Sequence, residues 1–170
     1  DIDLITKRLE ARFDITMSWG TLFAEDYRPW LANSRGDVNW YYWDRYKRYL
    51  RFPPQVIRSL DNITDQILDH LENPKKEGKW ARKGMVVGHV QSGKTANYIG
   101  LVNKAADSGY KVIIILAGTL NSLRNQTQFR FDNGFIGKDT ELKHLIGVGL
   151  FSNEKKPAYF TTNTKDFRKS

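Results

Sequence analysis

Gly84-Met85-Val86-Val87-Gly88-His89-Val90-Gln91-Ser92-Gly93-Lys94-Thr95 decides how this chain is read. Its last eight residues meet G-x-x-x-x-G-K-[ST] at every required position, which is the phosphate-binding loop pattern. The short apolar run Gly84 to Val87 predicts a buried strand before the loop, and Ala96 to Ala106 has helical spacing after it. A strand, a glycine loop and a helix in that order aim backbone N–H groups at a phosphate. Gly88 and Gly93 permit backbone angles and close approach that side chains would block. The amides of Gln91, Ser92, Gly93, Lys94 and Thr95 would cradle a β-phosphate. Lys94 would bridge the β- and γ-phosphates as a point charge, and the Thr95 hydroxyl would ligate Mg²⁺. The implied ligand is a nucleoside triphosphate with Mg²⁺. A glycine turn with an incidental lysine is the competing account, and the strand and helix flanks weigh against it.

Outward from the loop, the pattern differs on its two sides. Ile2, Ile5, Leu9 and Phe13 recur at helical spacing, and Asp37 can cap a second helix from Val38 to Arg51. Pro53-Pro54 separates that helix from a third, marked by Val56, Ile57, Leu60, Ile63, Ile67, Leu68 and Leu71 and ended by Asn73-Pro74. Beyond a charged connector, the reading becomes α/β. Strands are predicted at Gly84 to Val90, at Tyr110 to Leu116 with its β-branched run, and at Leu145 to Leu150. Helices are predicted up to Ser108-Gly109 and from Leu120 to about Phe131. That succession implies a right-handed, doubly wound parallel sheet.

Two further segments carry chemistry. Ala117-Gly118-Thr119-Leu120-Asn121 would turn the chain from the carboxyl end of a strand into a helix, where open α/β sheets bind ligands. Thr119 and Asn121 could hold a phosphate there, with Arg124 and Gln126 adding donors one turn on; a capped helix with solvated polar residues fits equally well. In Trp40-Tyr41-Tyr42-Trp43-Asp44-Arg45-Tyr46-Lys47-Arg48-Tyr49-Leu50-Arg51, aromatics interleave with bases, a pattern that can stack on nucleobases and neutralise phosphates. Trp43, Tyr46 and Leu50 share one helical stripe with Arg45, Lys47 and Arg48 mainly off it, so packing is the favoured role. None of Asp107, Asp132, Asp139, Glu141, Glu154 and Asp166 directly follows an apolar run of four, so the Mg²⁺-holding carboxylate of a P-loop motor is expected beyond Ser170. No metal-nuclease constellation is present.

The 170 residues, 40% of them hydrophobic, suffice for one ordinary core with a smaller appendage. With 27 Lys and Arg against 19 Asp and Glu, the formal net charge of +8 suits attraction to polyanions and a soluble basic surface equally well. The absence of cysteine excludes disulfides and thiolate metal sites. No apolar run approaches the ~18 residues of a membrane span, so no membrane partner is expected. Asp1-Ile2-Asp3 reads as a cut end rather than a signal peptide.

Tyr41 to Tyr46, Gly88 to Tyr98, Asn103 to Ile113 and Leu116 to Gln128 together resemble the bacterial Z-one-domain family, whose members carry an endonuclease label. The resemblance covers about residues 38 to 137. It implies a superfamily-two-helicase-like ATPase core, DNA as partner, a cytoplasmic setting and a role in restriction-modification or phage defence. It makes Gly88 to Thr95 the ATP site, and Thr119 to Gln126 similar to the helicase segment that touches the nucleic-acid backbone. The resulting expectation is an N-terminal helical region, residues 1–80, followed by part of a RecA-like P-loop NTPase parallel sheet, residues 81–170. That piece would bind ATP and Mg²⁺ and rely on the remaining C-terminal part of the same protein for turnover. The alternative is a P-loop NTPase or kinase that does not act on DNA, with the helical region as a protein-interaction module.

Overall fold

The computed structural model describes residues 27–87 and 93–167. The predicted first helix, around Ile2 to Phe13, lies outside them. Among the described residues five α-helices follow in order: α1 Leu31–Ser34, α2 Tyr41–Leu50, α3 Pro54–Leu71, α4 Lys94–Ser108 and α5 Asn121–Phe131. Contacts divide the chain into two units. One comprises Asp1–Asn39 with Phe52–Tyr110, and the other Trp40–Arg51 with Lys111–Ser170. The aromatic helix α2 therefore belongs with the C-terminal residues rather than with the other N-terminal helices.

In the first unit, α3 starts where Pro53 and Pro54 fix the backbone for a helical first turn, and the Ile57 amide donates to the Pro53 carbonyl at 3.1 Å. Leu60, Ile63, Thr64 and Leu68 form its buried face. They pack against α4, whose buried apolar residues Ala96, Ile99, Val102 and Ala105 recur every three positions. Each large aliphatic side chain so covered contributes roughly 1.5–3 kcal/mol. Helix α4 ends in a Schellman motif, with the Tyr110 amide on the Ala105 carbonyl at 3.0 Å and the Gly109 amide on the Ala106 carbonyl at 3.2 Å. Asp69 of α3 accepts from the backbone amides of Trp30, at 2.8 Å, and Leu31, at 2.7 Å, which ties the start of α1 to α3.

The second unit is built around α2. Trp43 and Tyr46 are buried, as the stripe required. Arg45 is buried as well, which the stripe did not indicate. Its guanidinium donates to the carbonyls of Phe135 and, at 3.1 Å, Ser152, and it lies over the rings of Tyr41 and Tyr42. Helix α5 runs into a π-helical turn, Asp132–Ile136, and a 3₁₀ turn, Gly147–Leu150, follows. Asp132 is fully buried and satisfied: Gln128 donates to it at 2.8 Å, and the Thr140 amide and hydroxyl at 3.0 and 2.8 Å.

The expected parallel sheet is not seen among the described residues. Helix makes up 51% of them and strand 1%, so the RecA-like sheet has no counterpart there. Their one β-feature outside named strands is an antiparallel bridge between Lys138 and Leu145. Residues 84–87 and 110–116 carry no strand pairing. Most of their apolar side chains stand in solvent, with Met85 86% exposed, Ile114 77% and Leu116 92%, whereas Tyr110 and Ile113 are half-buried. Apolar, β-branched composition favours extended backbone, but a strand also needs a neighbour in register to satisfy its N–H and C=O groups. The third expected strand, Leu145 to Leu150, instead makes the bridge and the 3₁₀ turn. Gly149 allows this, because a β-carbon there would come within 1.8 Å of the Gly137 carbonyl oxygen. That contact needs bare backbone on both sides.

Candidate nucleotide and nucleic-acid sites

Of the phosphate-loop residues, Gly93, Lys94 and Thr95 are described, whereas Gly88, Gln91 and Ser92 lie outside the described residues. Gly93 has the left-handed conformation, φ 72° and ψ 18°, and α4 begins at the next residue. A left-handed residue running into a helix start turns successive amides toward one point, the geometry of an anion nest. Lys94 is exposed, and Thr95, in the first turn, is half-buried. No acidic residue occupies the first turn of α4, so the helix itself places no carboxylate against the positive end of its dipole. Helix α4 is held by packing on α3 rather than by a sheet. A charged network reinforces that packing: the fully buried Lys104 ammonium donates to Asp61 and Asp65 of α3, each at 2.5 Å, and to the Asp61 carbonyl at 2.7 Å. Arg35 pairs with the same two carboxylates. Burial pushes the Lys104 ammonium below the usual lysine range in spite of both aspartates. Its single signal in the sequence is the i, i+4 spacing of Asp61 and Asp65.

The approach to the loop is fixed at Glu72. This buried carboxylate takes Lys76 Nζ at 3.0 Å and the Arg82 guanidinium at 2.5 Å, while its carbonyl accepts from the Tyr110 hydroxyl at 2.7 Å. Lys76 first, then Arg82, holds the Glu72 carboxyl below the usual range, against the opposing effect of burial. Burial, followed by the charge of Glu72, pushes the Tyr110 hydroxyl up to about 12. Arg82 lies two residues before Gly84, and Tyr110 follows α4 directly, so one residue ties down both flanks of the loop segment.

Thr119, Asn121 and Gln126, the expected nucleic-acid contacts of the second unit, are exposed around the start of α5. Arg124 is committed elsewhere. It pairs with Asp166 and donates to the carbonyls of Asn163 at 2.8 Å and Thr162 at 2.7 Å. Here Arg124 staples a later segment to α5, a role its helical position did not signal. On α2, Lys47 pairs with Asp44 at 2.7 Å and lies over the Trp43 ring, whereas Arg48 is exposed. Among the described residues no group of three or more His, Cys, Asp and Glu could hold a metal ion, and no helix is long and apolar enough to cross a membrane. Comparisons with protein-family models, curated proteins and solved structures find no match for this chain.

Proposed function

We propose that the chain binds Mg-ATP at Gly88 to Thr95, as the nucleotide-binding part of a DNA-acting ATPase of the Z-one type. The observation that carries this reading is the left-handed Gly93 leading straight into α4, with exposed Lys94 and first-turn Thr95 at a helix start that bears no acid. The amides would hold the β-phosphate, Lys94 would neutralise charge on the γ-phosphate, and Thr95 would bind the metal. Phosphoryl transfer draws on such positioning and charge more than on covalent chemistry. The DNA part of the reading is supported by the resemblance and by the placement of charge. Trp40–Arg51 with Lys111–Ser170 hold 14 Lys and Arg against 6 Asp and Glu, a net +8, whereas the first unit holds 13 of each. The whole excess therefore sits in the unit that does not carry the phosphate loop.

Calorimetric titration with a non-hydrolysable ATP analogue and Mg²⁺ tests the nucleotide site. Lys94→Ala should weaken binding about tenfold or more, the worth of one charge-assisted hydrogen bond. Equal binding by the two proteins, or none by the wild type, would remove the reading.

A further inference from the structure

The second unit contains an open cleft of ≈ 710 Å³ lined by Tyr49, Leu50, Arg51, Asn133, Leu150 and Phe151, together with Gly147. Its walls combine two aromatic rings, two aliphatic side chains, one cation and one amide. The apolar part is open to solvent, Phe151 being 40% and Leu150 71% exposed. Arg51 is exposed at the end of α2, at φ 50° and ψ 30°. Glycine is the usual residue in that left-handed position, and any other side chain costs about 1 kcal/mol there. A cation is thus kept at a backbone position where glycine is the less strained choice, at the rim of an aromatic cleft, in the unit that carries the entire net charge of +8.

We infer that this cleft binds single-stranded DNA, with bases lying against Tyr49 and Phe151 and Arg51 meeting the backbone phosphates. This rests on the DNA-acting reading above and moves the contact away from Arg124, whose guanidinium is committed to Asp166 and to two carbonyls. A half-buried Tyr49 and an exposed Phe151 beside the Arg51 cation in an open groove suit a strand, because every base offers a π-face and the phosphates run past the rim. An isolated mononucleotide would gain little from walls so open. Asn133 adds an amide at the cleft, its Nδ2 donating to the Phe129 carbonyl at 2.9 Å.

Fluorescence anisotropy with labelled dT₂₀, and with a duplex of the same length, tests the inference on the full chain at several salt concentrations. Arg51→Gly suits the left-handed backbone, so its folding should be intact or improved. It should bind dT₂₀ several-fold more weakly, with a salt slope lower by about 0.7 for one lost phosphate contact. Phe151→Ala should lose roughly tenfold with its slope unchanged, as expected for a lost stacking platform. If the wild type binds dT₂₀ and both variants bind equally well, the cleft assignment is overturned while DNA binding stands. Preference for the duplex overturns it too. No binding of dT₂₀ by the wild type at low salt overturns both the assignment and the DNA-acting reading.

Discussion

Glu72 has φ 93° and ψ 153°, a backbone region that is essentially open to glycine alone. A β-carbon there costs on the order of 1–3 kcal/mol, and such a conformation persists when its surroundings over-determine it. Here the surroundings are the Lys76 and Arg82 cations on the carboxylate and the Tyr110 hydroxyl on the carbonyl. Two truncations separate backbone from side chain. Glu72→Ala loses the ion pairs and keeps the strain; Glu72→Gly loses the ion pairs and sheds the strain. In urea unfolding the glycine variant should be the more stable of the two by about 1–2 kcal/mol, the reverse of the usual order away from left-handed positions. An alanine variant at least as stable as the glycine variant would show that residue 72 is not held at positive φ.

At the scale of elements, helices were legible and strands were not, for a physical reason. A helix closes its own hydrogen bonds, so the period of Leu60, Ile63, Ile67 and Leu71 with prolines at each end suffices to place α3. The Ser108-Gly109 end of α4 was equally local. A strand is completed by a neighbour distant in sequence, so Val112 to Leu116 could be read as apolar and extended without revealing that none of the described residues pairs with it. The candidate site divides the same way: the loop pattern is contiguous, whereas the staple at Arg124 and the cleft beside Arg51 depend on residues up to a hundred positions away. The Lys104 network is another such long-range device, joining α3 to α4 with a cation 0% exposed. Lys104→Met should cost about 3 kcal/mol in urea unfolding, because Asp61 and Asp65 then lose the buried cation between them while Arg35 stays paired with both. Adding Asp61→Asn should restore part of that loss through removal of the uncompensated charge. Additive losses in the double variant would mean that the two residues are not coupled.

On the whole-molecule scale, two surface properties act in opposite directions. Val112, Ile114 and Leu116 recur at alternate positions with 71%, 77% and 92% exposure, so one edge of this extended run faces water. An uncovered β-branched run is a site of self-association. The same unit carries the entire net charge of +8, which repels a second copy at low ionic strength. Screening shortens that repulsion to ~8 Å at physiological salt and ~3 Å at 1 M, while apolar contact is left intact. Rising salt should therefore strengthen association of the free chain and, on the proposed DNA-acting reading, weaken DNA binding. Light scattering across a salt series should show the wild type enlarging with salt and concentration. Ile114→Lys should stay dispersed with its unfolding midpoint within about 0.5 kcal/mol of wild type, since an exposed side chain contributes little to the core. A loss of several kcal/mol in Ile114→Lys would mean that Ile114 is covered in the folded chain. Association that falls with salt would mean that opposite charges, rather than the apolar run, draw the copies together.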